Sequence, residues 1–239
     1  YNSVQVIADC PEDIYALANG AIFSINKTTE EMTLYNNQSG LHSTNVCFLM
    51  YDEERKQLII MYSDGKMDIE YNGIMHYISD LYNKRMTASK KCNNITIHDK
   101  CAYLAMDFGI LVFDLEKHEF KETYYIGAEA SEVRVTDVMF NGDSIYAQTK
   151  NKNYSACIYD NIVDYHFWKT CSTLPCPFDT KKGKEYTMTN GDLWKVAGAQ
   201  GVYRKFVTGE EAYYLPDGPQ VNIPYSMTFD RGRLYVVPG

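Results

Sequence analysis

The chain repeats a short strand-like segment at a nearly fixed interval, and this repeat limits the architectures it can adopt. Each copy follows a turn and is an apolar run with an aromatic residue or Ile at its second position. Successive second positions are separated by 44, 44, 43, 48 and 41 residues. A period of this length is typical of proteins built from adjoining copies of one small unit. The six second positions are Tyr15, Ile59, Tyr103, Tyr146, Trp194 and Tyr235.

Other elements keep the same phase around these positions. A Gly or Asn follows each of the first five by five to seven residues, as tight hairpin turns require, and opens another strand. A further strand precedes each second position, from Val4–Ala8 in the first unit to Tyr186–Thr189 in the fifth. The predicted fourth strands are Met32–Tyr35, Ile74–Ile78, Phe120–Ile126, Tyr165–Lys169 and Ala212–Leu215.

Four antiparallel strands in each unit of this length predict the blade of a β-propeller. The first two strands of each unit are apolar on both faces, as expected where a sheet packs between two neighbours, whereas a sandwich strand would alternate. We therefore predict an all-β propeller over residues 1–239. Its blades are expected at residues 3–36, 44–78, 92–126, 134–170 and 185–215, with the first two strands of a sixth at 224–239.

The sixth unit ends where its next hairpin turn is expected. We therefore expect the sequence to be a fragment of a longer protein. Closure of the sheets into a ring removes exposed blade edges, so the complete ring is expected to have six or seven blades. No signal peptide is evident at Tyr1, and no apolar run of about 18 residues predicts a membrane span in this segment.

Charge and cysteine spacing exclude several classes of site. The net charge of −8 argues against a nucleic-acid partner, which needs clustered Lys and Arg. The seven cysteines form no C-x-x-C motif, so zinc-knuckle and thioredoxin sites lack their basic spacing. A hairpin at residues 99–100 would place Cys101 opposite His98 and far from Cys92. Cys171 and Cys176 share one short loop, and their pairing is left open.

We predict no catalytic residues, no metal site and no cofactor. The five histidines show no metal-ligand spacing, and neither a nucleophile elbow nor a phosphate-binding glycine loop is present. An enzyme would need a convergent cluster of His, Tyr and Glu, which the sequence does not reveal.

Loops on one face of a propeller surround its central funnel, where residues distant in sequence converge. These loops join the fourth strand of one blade to the first of the next, or the second strand to the third. Their polar and aromatic residues are the candidates for contact with a sugar or peptide. They are His42, Tyr62, Asp64, Arg85, Asp107, Phe108 and Lys152.

Two sets of short motifs carry a family resemblance. The Asn-Gly-Asp-Leu-Trp and Gly-Val-Tyr-Arg strings of Asn190–Arg204 resemble the propeller repeats of two-component regulators. Tyr15–Gly20, Tyr62–Gly65 and Tyr103–Gly109, with Thr123–Gly127, look like the N-terminal propeller of PorZ-type proteins of the Por (type IX) secretion apparatus.

The second resemblance implies a non-catalytic recognition or scaffold propeller outside the cytoplasm, in the periplasm or at the cell surface. PorZ-type proteins act at the outer membrane, so a glycan, an envelope protein and further domains of the same chain are the implied partners. The alternative is the ligand-sensing ectodomain of a hybrid two-component regulator. A transmembrane helix and a kinase core further along the chain would favour that alternative.

Overall fold

The computed structural model describes residues 3–216, 224–230 and 233–238, with side chains described for residues 3–216. Twenty-two strands form six antiparallel sheets, and in each sheet the strands follow chain order. Blades 1 to 3 comprise β1 Val4–Asp9, β2 Asp13–Ala18, β3 Ala21–Asn26, β4 Met32–Tyr35; β5 Val46–Asp52, β6 Gln57–Tyr62, β7 Met67–Tyr71, β8 Ile74–Ile78; β9 Cys92–His98, β10 Cys101–Met106, β11 Gly109–Asp114 and β12 Glu119–Tyr124. The remaining sheets comprise β13 Val135–Asn141, β14 Ser144–Thr149, β15 Asn153–Cys157, β16 Lys169–Cys171; β17 Glu185–Thr187, β18 Leu193–Val196, β19 Val202–Lys205, β20 Glu211–Tyr214; β21 Pro224–Asp230 and β22 Arg233–Pro238.

The predicted architecture is confirmed: there are five four-stranded blades and a two-stranded sixth sheet. All six repeat positions lie in the second strand of their sheet. Tyr15 pairs with Ala8 on one side and Ser24 on the other, and Trp194 pairs with Tyr186 and Arg204 in the same way. Among the described residues, the repeat therefore indicates both the number of sheets and the order of strands within them.

Tight turns join the strands where the sequence places Gly or Asn. In blade 1, Ala18 pairs with Ala21, which leaves Asn19 and Gly20 as a two-residue turn. Both turn residues have positive φ, 50° and 84°. Turns of this kind match the right-handed twist of paired strands, and they require residues that tolerate a left-handed backbone.

The hairpin expected at residues 99–100 is also present. Cys101 pairs with His98, whereas Cys92 lies opposite Met106 at the far end of the sheet. All seven cysteines, Cys171 and Cys176 among them, are free thiols in this structure.

Five of the predicted strands have different boundaries, and two of these, Val4–Asp9 and Glu211–Tyr214, are shifted or extended by one residue. The fourth strand of blade 4 is Lys169–Cys171 instead of Tyr165–Lys169, because Tyr165–Phe167 forms a 3-10 turn that the Asp164 side chain caps. The fourth strand of blade 3 is Glu119–Tyr124. The first strand of blade 5 is Glu185–Thr187.

Apolar side chains fill the spaces between adjacent blades. One cluster joins blades 1, 2 and 3, and another joins blades 3 and 4. A third places Trp194, which is 0% exposed, with Ile14 and Phe23 of blade 1, so blade 5 packs against blade 1. The size of the complete ring stays a prediction.

Helical structure is minimal in the described part of the chain. Its single α-helix, α1, is one turn at Asp80–Asn83. No helix among the described residues is long and apolar enough to cross a membrane.

Candidate functional site

The first strands of blades 1 to 4 surround a central cavity of about 1000 Å³. The cavity opens at the beginnings of β1, β5, β9 and β13, on the face where the sequence places the converging loops. Six side-chain amides line it, those of Gln5, Asn19, Asn45, Asn93, Asn94 and Gln148. Each amide can both donate and accept hydrogen bonds. The cavity wall is therefore suited to a polar ligand.

Asn93 shows how these amides are held in place. Its Nδ2 donates to the carbonyl oxygen of Val135 at 2.9 Å and to Oδ1 of Asp107 at 3.0 Å. Its Oδ1 accepts a hydrogen bond from Arg134 Nη2 at 2.9 Å. The side chain thus joins blade 3 to the start of blade 4, and this part of the wall is preorganised.

A segment between blades 4 and 5 crosses the channel, and we call residues 172–184 the crossing segment. Leu174, Pro177 and Phe178 from this segment line the cavity. At its end, the carbonyl oxygen of Gly183 accepts a hydrogen bond from the backbone N–H of Ile7 at 2.7 Å. The innermost strand of blade 1 therefore binds the backbone of this segment directly.

Lys182 anchors the crossing segment to blades 3 and 4. Its Nζ lies 2.7 Å from Oδ1 of Asp137 and donates to Oγ1 of Thr96 at 2.6 Å. Asp137 is only 6% exposed, and burial raises the pKa of its carboxyl group while Lys182 opposes the rise. A buried ion pair is retained only where geometry and further hydrogen bonds compensate its desolvation. Thr96 and the backbone N–H of Val138 supply those hydrogen bonds here.

A second cavity of about 530 Å³ lies on the other side of the crossing segment. Asp179 and Lys182 line both cavities, so the segment separates the two ends of the channel. The second cavity is strongly acidic, with carboxylates from Asp9, Asp52, Glu53, Glu54, Asp179 and Glu185. The first has an amide-rich wall and the second an acidic one, so the two ends suit different ligands.

The larger cavity has free cations at its edge. Lys91 and Lys184 are exposed, and neither forms an ion pair within residues 3–216. Lys91 lies near the thiol of Cys47. Burial raises the pKa of that thiol to about 11, while the backbone N–H of Cys92 and the Lys91 ammonium oppose the rise.

Two of the seven predicted ligand residues meet at a buried carboxylate. The Asp68 side chain, 0% exposed, accepts hydrogen bonds from the backbone N–H of His42 at 3.0 Å and from the Tyr62 hydroxyl at 2.5 Å. Nδ1 of His42 lies 3.0 Å from its other oxygen, and the imidazole stacks on Tyr77. Burial and the hydrogen bond to Asp68 raise the pKa of Tyr62. Part of the His42 ring is exposed, so the contact of His42 with a ligand stays a prediction.

Burial corrects the prediction for Tyr62 and Phe108. These side chains are 0% and 1% exposed, so they cannot contact a sugar or peptide. Both belong to the apolar cluster that joins blades 1, 2 and 3. Each lies beside a turn, Tyr62 at the end of β6 and Phe108 just before β11, and for this reason the sequence pattern predicts loop residues.

The remaining four candidates are polar, and two of them form ion pairs. Asp64 pairs with Lys66 at 2.9 Å, and Asp107 pairs with Arg134 at 3.1 Å. Arg85 is exposed, and Lys152 lies over the ring of Tyr154 at 4.9 Å. None of the seven predicted residues lines the larger cavity.

The structure adds residues that the sequence analysis missed. Asp137 is the single charge of β13, and Asp68 lies between the apolar residues Met67 and Ile69 of β7, which is a sign of a paired buried carboxylate. Lys182 has no such signal, because Lys181-Lys182-Gly183-Lys184 has the composition of an exposed loop. Within the described residues, no group of three or more His, Cys, Asp or Glu side chains could hold a metal ion.

Comparison with known families decides the relationship. The family described as the N-terminal β-propeller domain of PorZ, of the type IX secretion system, matches residues 14–169. This chain belongs to that family. The match runs from β2 of blade 1 to the first residue of β16 in blade 4. No curated protein matches the chain.

Solved structures show the same fold. PorZ of Porphyromonas gingivalis, described as an essential bacterial surface component of the type-IX secretion system, is similar with a TM-score of 0.77 and 20% identity over 98% of this chain. The match covers 41% of that protein, so the chain spans about two fifths of its length. The extracellular domain of a hybrid two-component system of B. thetaiotaomicron is similar with a TM-score of 0.56 and 11% identity, over 84% of this chain and 26% of that one.

Proposed function

We propose that this propeller is a non-catalytic recognition or scaffold module that acts outside the cytoplasm, in the cell envelope, as part of type IX secretion. The larger cavity would bind a glycan or a protein partner. Membership of the PorZ propeller family supports the secretion role. The cavity carries the recognition role, because four blades converge on about 1000 Å³ of amide-lined space.

The geometry suits binding better than turnover. The amides and lysines of the cavity can orient a polar ligand. Catalysis by an acid–base pair would need titratable side chains placed at the ligand. The carboxylate of Asp137 is instead committed to Lys182. We therefore expect a captured ligand to be released unchanged.

Filling the mouth of the cavity tests this function. Ser63 lines the cavity and is exposed, so Ser63→Trp adds bulk at the opening with little disturbance of the core. Thr28→Trp is the matched control, because Thr28 is exposed in a turn of blade 1 and does not line the cavity. Wild type and the Thr28 variant should retain a partner from outer-membrane extract or on a glycan array, and the Ser63 variant should lose it. Equal capture by all three proteins would overturn the proposal.

A sensing ectodomain is the second candidate, favoured by the structural similarity to the two-component ectodomain. The two functions differ in what deletion of the gene removes. Loss of cargo from the cell surface, with transcript levels unchanged, would support the secretion role. A lost transcriptional response with normal cargo secretion would instead support sensing.

A further inference from the structure

The walls of the larger cavity already hold polypeptide. The backbone N–H of Ile7, in the innermost strand of blade 1, donates to the carbonyl oxygen of Gly183 at 2.7 Å. Gly183 lies so close to blades 1 and 2 that a Cβ there would be 3.2 Å from Cγ1 of Val6 and 3.6 Å from Cζ of Phe48. The innermost strand of blade 1 thus binds a peptide backbone at close range on its channel side.

The space that remains beside the crossing segment matches another peptide. Amide side chains present the same donor and acceptor groups as a peptide bond, so they can pair with backbone whatever its side chains are. Gln148 and Asn94 lie on this wall next to Thr136. The wall therefore offers hydrogen bonds to an extended chain without requiring a particular sequence.

The aromatic residues of the cavity argue against a sugar. Sugar rings pack their C–H groups on exposed aromatic faces. The only aromatic residues that line the larger cavity, within the part of the chain described, are Phe48 and Phe178. They are 6% and 7% exposed, so neither offers a stacking platform. Of the two ligand classes in the proposed function, the peptide is favoured.

The charges of the cavity specify the peptide further. The ammonium group of Lys182 is committed to Asp137, whereas Lys91 and Lys184 have no carboxylate partner within residues 3–216. The lining carries three lysines, Lys91, Lys182 and Lys184, against two aspartates, Asp137 and Asp179, so it attracts a negative group even though the whole chain carries −8. A peptide carboxylate, from its C-terminus or from an acidic side chain, would pair with the lysines that Asp137 leaves free.

We infer that the larger cavity binds an extended peptide that carries a carboxylate, laid beside the crossing segment with the carboxylate at Lys91 and Lys184. This inference rests on the proposed recognition function and narrows its ligand to one class. The amides of the wall bind the peptide backbone, and the two lysines select the charged end.

Three fluorescent octapeptide libraries test the inference by fluorescence polarisation with the 239-residue chain. The first has neutral random positions and a free C-terminal carboxylate. The second has a C-terminal amide and one fixed Asp. The third has the amide and Asn in place of Asp. At least one of the first two libraries should bind at least tenfold more tightly than the third, and which one it is identifies the source of the carboxylate.

The double variant Lys91→Gln/Lys184→Gln should weaken binding of the carboxylate library at least tenfold, to the level of the third library. Both lysines are exposed, so this variant should melt as wild type does. Lys205→Gln, which removes an exposed lysine of blade 5 outside the cavity, should change nothing. Unchanged binding by the double variant, or equal binding of all three libraries, would overturn the inference.

A binding experiment with glycans distinguishes failure of this inference from failure of the proposed function. Neutral and uronate-containing hexasaccharides are tested on wild type and on Ser63→Trp. If a hexasaccharide binds wild type and not the Ser63 variant while no peptide library binds, the peptide inference fails and the recognition function stands. If no library or hexasaccharide binds and envelope extract yields no partner, both fail.

Discussion

Blades 2 and 5 have the same strand order, but different interactions hold them together. In blade 2 all six residues of β6 are buried, so a continuous apolar strand lies between its neighbours. In blade 5 the equivalent β18 has four residues, and Trp194 alone among them is buried. A blade of this propeller can therefore be stabilised either by a long buried strand or by one large aromatic side chain that packs against a charged group.

The charged group that packs against Trp194 in blade 5 is the guanidinium of Arg204. It lies 4.8 Å from the ring centroid of Trp194 and 4.0 Å from that of Phe206. It also donates to Asp192 through Nη2 at 2.6 Å and pairs with Glu30 of blade 1 at 3.2 Å. A planar cation that stacks and hydrogen-bonds at once replaces the apolar area that the short strands cannot supply.

Removal of the Trp194 ring should have the largest effect. Trp194→Ala should lower the free energy of unfolding by about 3–5 kcal/mol, because it leaves a cavity between blades 5 and 1. Chemical denaturation measures the loss, and hydrogen exchange should accelerate in β17–β20 more than in β5–β8. Trp194→Phe is the control, since it keeps most of the apolar area and removes an Nε1 that lacks an acceptor among the described groups. Equal acceleration of hydrogen exchange in blades 2 and 5 would show that blade 5 is not less stable than blade 2.

Breaking the Arg204 pair should have the next largest effect. Arg204→Met leaves the carboxylate of Asp192, 3% exposed, without its cation, and should cost about 3 kcal/mol at pH 7. Arg204→Met/Asp192→Leu should recover much of that loss. A double variant no more stable than the single one would show that stacking on Trp194 matters more than charge pairing.

The same pair predicts a pH dependence. Burial raises the pKa of Asp192, but its hydrogen bonds to Arg204 and Val207 outweigh this and leave the pKa lowered. A lowered folded-state pKa contributes stability above the unfolded-state value, about 3.9, and this stability is lost as the pH falls through the folded-state pKa. In Arg204→Met the burial of Asp192 is opposed only by the hydrogen bonds that remain, such as that from Val207, so the stability gap between wild type and variant should narrow on acidification. Denaturation series from pH 7 to pH 3 measure this gap, and a constant gap would contradict the assignment.

Alanine substitutions at equivalent turn glycines should destabilise the protein less, and by different amounts in blades 5 and 2. Gly201 and Gly65 have φ of 90° and 91°, so alanine is strained at either position. A Cβ on Gly201 would lie 2.1 Å from the backbone oxygen of Tyr214, whereas on Gly65 it would meet Cδ of the flexible Lys90 side chain at 2.8 Å. Gly201→Ala should cost about 2 kcal/mol or more and Gly65→Ala about 1 kcal/mol, as thermal melts would measure. The reverse order would mean that blade 5 adapts more easily than blade 2.

The smallest effect is expected at Lys195, whose side chain is half-buried. Its ammonium group lies 4.5 Å from the ring centroid of Tyr203 in blade 5. Lys195→Gln should cost about 0.5 kcal/mol, the magnitude of a cation–π contact that is not fully desolvated. A loss as large as that of Arg204→Met would show that this contact, and not the Arg204 cluster, holds the blade.

Some blade boundaries followed from sequence and others did not. The turn at Asn19 and Gly20 was predictable because two-residue hairpins accept few residue types. The 3-10 turn at Tyr165–Phe167 was not, because an aromatic run also fits a strand. Its conformation depends on the Asp164 cap and on Trp168, whose Nε1 donates to the carbonyl oxygen of Ile162 at 2.8 Å.

The sequence by itself determined the repeated blade, because each hairpin joins neighbouring segments and its turn and strand signals are local. It also indicated which face of the ring carries the converging loops. The tertiary structure decided the site on that face. Lys182 meets Asp137 across 45 residues and Thr96 across 86, and no local pattern encodes such contacts. Closure of the blades around a channel brings these residues together, because only there do the first strands of different units face one another.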